Sequence, residues 1–273
     1  MNPPGVPFDN REYWEARLRD HYSLAGVGYL RLGRRYNQWM YRVRGDVFDR
    51  AIAGIGLRES GTGWRGSEIL DVGSGTGFYV ERWLRLGARV TGLDLTDVAV
   101  AELGRVFPEA RFVRADIGAA LSAVPLEATS FNAVSAMDVL FHLVEDDAYA
   151  NALSNIAALL KPGGWFLWSD NFLRHPAERV IHQASRPLTE SLRLLQAAGF
   201  EVVERVPMFV LMNYPADTTS RIARWAWTAM VAPAMLAEPL GWLLGAVLYP
   251  IEKALVRLKG ESPSTELMVC KKR

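Results

Sequence analysis

Three carboxylates and one histidine stand just past short apolar runs. Asp71 follows Ile69 and Leu70, Asp94 follows Val90 to Leu93, Asp116 follows Phe112 to Ala115, and His142 comes shortly after Met137. An acid at the carboxyl end of a strand is placed to accept hydrogen bonds from a ligand. His142 is the most placeable base, because an unperturbed imidazole titrates near neutrality. Between Asp71 and Asp94 runs Gly73-Ser74-Gly75-Thr76-Gly77, with glycine at every second position. Such a loop bends sharply and lets a ligand approach with no Cβ in the way. The helix that follows offers free N–H groups to that ligand. Asp94 lies close to the roughly twenty-residue offset of a ribose-binding carboxylate, which accepts from both ribose hydroxyls. Its alternative role is a helix N-cap, although Thr96 or Asp97 can do that for 98–106.

These groups need strands to end beside one another. After the glycine loop, Val80, Trp83 and Leu84 share one helical face and Gly87 stops the helix. Further strands read at 88–94, 110–115, 131–137, 165–169 and 201–206, with a last one at 265–272. Pro207 breaks the sixth, and 208–211 is expected to resume as an edge. Helices read at 98–106, 149–160 and 188–198. The alternation predicts an α/β fold with right-handed crossovers. Asp146-Asp147 reads as the acid pair of a helix N-terminus rather than a metal site. The histidines His21, His142, His175 and His182 lack a metal-binding spacing, so no metal is expected.

Asp71-x-Gly73-x-Gly75-x-Gly77, Asp94, Asp116 and Leu160-Lys161-Pro162-Gly163-Gly164, in this order, resemble the motifs of class I S-adenosylmethionine (SAM) dependent methyltransferases. The resemblance covers 68–206 and the final strand. It implies a Rossmann-like seven-stranded sheet whose last strand is antiparallel and lies between the fifth and sixth. It also implies SAM as cofactor. Asp71, Gly73, Ser74, Gly75 and Gly77 would wrap its methionine part. Asp94 and Leu95 would take the ribose, and Asp116 would accept from the adenine amino group while Ile117 packs on the ring. Backbone around Met137 would meet the SAM amino group. Many relatives carry a histidine where His142 stands, as a base or as an orienting or packing group. The 160–164 turn is a helix stop.

Residues 1–60 read as a helical cap or lid after a proline-rich tail at 1–10. Gly26, Gly28 and Gly33 joint the cap, as a lid that opens requires. Trp39 is expected beside the cofactor and Tyr29, Tyr36 and Asn37 beside the substrate; the alternative is that these aromatics pack on the sheet. Residues 61–221 form the SAM-binding core. Within it Asp170, Asn171 and His175 are candidates to position the substrate, or else solvated loop residues. Residues 261–273 hold the last strand.

The segment 222–260 is an apolar helical insertion. By hydropathy 222–258 approaches a membrane span. A single crossing would strand 265–272 on the wrong side of the bilayer, and two crossings need about twenty residues each. Three readings follow: helices packed over the sheet or in a homodimer interface, an apolar wall for a greasy substrate, or a monotopic membrane anchor.

The 273 residues carry a net charge of +1, so no global field favours nucleic acid. The Arg-rich stretch 31–50 is partly balanced by Asp46 and Asp49. The single cysteine, Cys270, excludes an internal disulfide, and Met1 to Pro7 lacks a signal-peptide pattern. The expectation is a cytoplasmic protein or one held at a membrane surface. The expected activity is methyl transfer to a small molecule, at oxygen of a hydrophobic or aromatic metabolite. The alternatives are N- or C-methylation of a lipid-like or glycan acceptor, and a non-catalytic SAM-binding scaffold. A nicotinamide dehydrogenase is disfavoured by Phe78, where a third glycine spacing is missing.

Overall fold

The structure, a computed structural model, describes residues 8–58 and 63–273. Positions 1–7 of the expected tail, and the boundary expected at 60/61, lie outside the described residues. The core strands are β1 (Glu68–Val72), β2 (Arg89–Asp94), β3 (Arg111–Arg114), β4 (Phe131–Met137) and β5 (Leu160–Asp170). A hairpin follows, β6 (Glu178–Val180) with β7 (Gln183–Ser185), and then β8 (Phe200–Pro207) and β9 (Glu266–Lys272). The main sheet has the order β3-β2-β1-β4-β5-β9-β8. β1 to β5 pair in parallel, and β9 runs antiparallel to both β5 and β8. The last strand therefore inserts between the fifth and sixth, as the resemblance implies.

Side chains alternate across the sheet with a period of two. Ile69, Val90, Ala133 and Leu167 face one apolar layer; Leu70, Leu93, Val134 and Trp168 face the other. The helices are α1 (Asn10–Asp20), α2 (Leu24–Val27), α3 (Gly33–Arg58), α4 (Phe78–Arg85), α5 (Asp97–Val106), α6 (Asp146–Leu159), α7 (Leu188–Ala197), α8 (Arg221–Leu236) and α9 (Glu238–Leu258). α3, α4, α8 and α9 supply the first layer; α6 and α7 supply the second. Gly28 and Gly33 stand at joints of the cap, Gly33 with a positive φ. Asp9 caps α1 by accepting the Glu12 N–H at 2.9 Å.

Three local expectations differ from the structure. Leu160 to Gly164 is not a separate turn: β5 begins at Leu160 and runs through it with a register shift opposite Phe131. The hairpin β6–β7 has no counterpart among the expected elements. Residues 208–211 do not resume a strand. Met208 and Phe209 are fully buried, and the N–H groups of Val210 and Leu211 donate to the Glu252 carboxylate of α9 at 2.5 and 2.8 Å. A side chain thus takes the place of a neighbouring strand.

The 222–258 segment forms two helices. α9 is longer than expected, running through Pro250, and it is long and apolar enough to cross a membrane. Its inner face is committed to α3. Glu238 accepts from the N–H groups of Arg34 and Arg35, both at 2.8 Å, Gly245 meets the Trp39 indole, and Tyr249 donates to Asp46 at 2.7 Å. These contacts advance together along both helices, so α9 and α3 run side by side in the same direction.

Candidate active site

β1, β2 and β4 end on one side of the sheet, and the loops that follow them line a cleft of about 890 Å³, counting its open mouth. The glycine loop leaves β1 with Gly73, Gly75 and Gly77 all at positive φ. The need for glycine is steric as well as conformational. A Cβ on Gly73 would lie 2.3 Å from Val139, and one on Gly77 would lie 2.4 Å from Phe107. Asp94 pins this loop across the strand ends: its Oδ2 accepts from the Gly75 N–H at 2.8 Å. Its Oδ1 accepts from the Thr96 N–H and hydroxyl at 3.0 and 2.8 Å. Burial pushes the Asp94 carboxyl up, and these N–H donors pull it down. Thr96 caps α5 by accepting the Ala99 N–H at 3.3 Å. Asp94 is thereby left on the cleft wall.

The cleft gathers Gly73, Ser74, Gly75, Asp94, Leu95, Asp116, Ile117, Met137 and His142 from the expected set. Two other members stand behind the wall. Asp71 is buried and accepts from the Ser135 hydroxyl at 2.6 Å, and burial pushes its carboxyl up to about 7. Gly77 is the left-handed N-cap of α4. Both shape the loop from behind the cleft lining. Asp116 accepts from the Gly118 N–H at 2.8 Å, and Asn155 holds the Ile117 carbonyl at 2.8 Å, fixing that strand end.

The remaining expected residues lie outside the cleft. Trp39 packs between Trp242 and Tyr249 of α9. Tyr29 stacks on Trp227, Tyr36 is fully buried with its hydroxyl on the Met212 carbonyl, and Asn37 ties the Tyr29 and Gly33 backbone. The α8–α9 pair draws this aromatic face of α3 to itself, away from the strand ends. Asp170 and Asn171 are buried at the end of β5, where Asn171 bonds Ser185 and Thr265. The His175 Nε2 lies 3.2 Å from the Ala216 carbonyl.

The cap does cover the cleft, through other residues. Asn10, Trp14 and Leu18 of α1, spaced four apart and so on one helical face, line it together with Val27 and Tyr41. That spacing is the signal in the sequence that could have found them. Tyr22 anchors the cap to the loop, donating to the Gly75 carbonyl at 3.1 Å. In the same cleft Asp138, at a positive φ of 59°, receives Arg44 at 2.6 and 2.7 Å and the Ser169 hydroxyl at 2.8 Å. Burial works against the charge on Arg44, and the Asp138 carboxylate more than restores it.

His142 also lines the cleft. Its Nδ1 lies 2.8 Å from the His182 carbonyl, and Trp14 meets its ring edge-on with centroids 4.7 Å apart. A carbonyl can only accept, so Nδ1 carries the hydrogen and Nε2 of the neutral ring keeps a lone pair. Burial pushes the imidazole down to about 4. The near-neutral titration expected from sequence is therefore displaced.

Residues 69–164, which hold the loop, Asp94, Asp116 and His142, match the family model described as "Methyltransferase domain". This segment is a class I methyltransferase domain. A ubiquinone biosynthesis O-methyltransferase from Albidiferax ferrireducens is 35% identical over 109 residues, 38% of this chain and 41% of the relative. A probable S-adenosylmethionine-dependent methyltransferase from Mycolicibacterium smegmatis is 30% identical over 151 residues, 53% of this chain and 56% of the relative. The chain thus spans less than half of the ubiquinone-type relative and little more than half of the other. In fold the whole chain resembles the Burkholderia thailandensis 1,6-didemethyltoxoflavin-N1-methyltransferase. That structure has a TM-score of 0.50 at 20% identity, covering 100% of this chain and 92% of the other. A putative sarcosine dimethylglycine methyltransferase from Galdieria sulphuraria has a TM-score of 0.53 at 14% identity, covering 81% and 85%.

SAM is the cofactor that the motif resemblance implies, and the cleft suits it. Asn10 Oδ1, Thr76 Oγ1 and the Tyr79 hydroxyl are buried without a hydrogen-bond partner, and all three residues line the cleft. Buried polar groups rarely stay unpaired, so three orphans in one cleft fit a polar ligand seated there.

Proposed function

We propose that the protein transfers the methyl group of SAM to the hydroxyl of a small hydrophobic acceptor. The observation that carries this reading is that the Gly75–Asp94 pair and His142, with its Nδ1 held by the His182 carbonyl, line one cleft. Bound SAM supplies a methyl carbon already activated by the sulfonium charge. Asp94 and Leu95 bind and orient the ribose side, the backbone of 73–75 takes the methionine part, and Asp116 and Ile117 hold the adenine end. Trp14, Leu18 and Tyr41 exclude water and favour an apolar acceptor. His142 Nε2 accepts the acceptor's O–H hydrogen and turns an oxygen lone pair toward the methyl carbon. A weak base suffices, because the hydroxyl becomes strongly acidic as its oxygen gains the methyl group. Positioning supplies most of the rate enhancement. The ubiquinone-type relatives, named for O-methylation, support oxygen as the acceptor atom.

The test is calorimetric titration with SAM, S-adenosylhomocysteine and NADH, followed by a methyl-transfer screen of apolar phenols. Binding of both adenosyl compounds and methylation of a phenol is the expected result. Binding without turnover across phenols, amines and glycans would favour the scaffold reading instead.

A further inference from the structure

α8 and α9 bury only one side. On the outer side Ile222, Trp225, Leu236, Leu243 and Val247 are each more than half exposed, and Trp242 is 45% exposed. A continuous apolar face of this kind marks a contact surface. The two acids of the pair are both taken up by backbone N–H groups. Glu238 caps α3 through the Arg34 and Arg35 N–H groups. Glu252 is fully buried on the Val210 and Leu211 N–H groups. Neither carboxylate of 221–259 is therefore left without donors. The rim of the apolar face carries cations: Arg221 begins α8, Arg257 and Lys259 end α9, and among the described residues these three form no ion pair. Arg42 adds to the rim, lying 4.1 Å over the Trp39 ring that leans on Trp242.

We infer that this face docks the protein on an anionic phospholipid surface. Apolar side chains and tryptophans at the acyl boundary, with arginine and lysine at headgroup level, match an interfacial amphipathic pair. A second copy is the poorer occupant, because a self-complementary contact would set cations against cations. The face also continues toward the cleft. Arg224 of α8 pairs with Glu178 of β6, and the tip of that hairpin exposes Val180 and Ile181 beside the His182 carbonyl that holds His142. Docking would bring the cleft mouth to the lipid surface, where an apolar acceptor is concentrated. The inference rests on the surface alone and stands whether or not methyl transfer is the activity.

Sedimentation of the purified full chain with vesicles tests it. Mixed phosphatidylglycerol–phosphatidylcholine vesicles should pellet the protein, phosphatidylcholine alone far less, and high salt should release it. Leu243→Asp, at an exposed site, should weaken pelleting by at least about ten-fold. Arg257→Gln with Lys259→Gln should weaken it by about thirty-fold, from roughly five-fold per cation. Equal pelleting by both lipids would overturn the anionic partner. Protein left in the supernatant with both would overturn docking, as would a solution dimer that Leu243→Asp makes monomeric.

Discussion

The Nδ1 of His142 lies 2.8 Å from the carbonyl of His182, so this cleft-lining residue is held by the hairpin β6–β7 rather than by its own segment. The bond sets the tautomer and turns the unprotonated nitrogen away from the hairpin. Burial, helped by Trp14, keeps the ring neutral.

The His142 imidazole should titrate near pH 4 in the folded protein, as read by NMR of the ring. The unfolded chain, titrating near 6.5, binds the proton first as pH falls. This group therefore lowers stability progressively from about pH 6.5 to 4. Denaturant midpoints of wild type and His142→Gln should diverge over that window. A ring titrating at 6.5 would remove the burial argument.

Turnover should follow the same group. His142→Ala should cut kcat by about 100-fold, the lower range for a positioned base, with SAM affinity unchanged. Trp14→Ala should move the His142 titration back toward neutrality, since it opens the ring to water.

Asp94→Ala should weaken SAM binding by about ten- to one-hundred-fold, because charge-assisted hydrogen bonds contribute about 1.5–3 kcal/mol. It should also free the Gly75 N–H, visible as faster amide exchange. Unchanged affinity by calorimetry would reassign the ribose contact.

Breaking the Arg44–Asp138 pair should destabilise the fold. Arg44→Met leaves a partly buried carboxylate with only Ser169, and a cost of about 1–3 kcal/mol in chemical denaturation is expected. Replacing both partners by apolar residues should recover much of that loss. Glu252→Ala should cost about 2–5 kcal/mol, since it strips two buried N–H groups of their acceptor. A near-neutral result would mean that water reaches Val210 and Leu211.

The motif resemblance supplied the antiparallel last strand and the places of Asp116 and Ile117, while the alternation of apolar runs with glycine turns was enough to place the seven strands and the offset of Asp94. Those features depend on local patterning: strand ends, turn sterics and the spacing of a crossover unit all act over a few residues to a few tens. The α1 stripe of Asn10, Trp14 and Leu18 is equally local, since its four-residue spacing stands in the sequence.

What the tertiary structure decided was where long-range partners went. Tyr29, Tyr36, Asn37 and Trp39 have the chemistry of a ligand wall, yet the packing of α8 and α9 turned them into core. Arg44 and Asp138 became a pair across 94 residues, and Glu252 ended the sheet edge across 42. His142 lost its ordinary basicity to burial, while the carbonyl of a hairpin 40 residues away fixes its tautomer. Local sequence sets backbone preference and which faces are apolar. Desolvation and pairing depend on which distant surfaces meet, and only the folded chain fixes that.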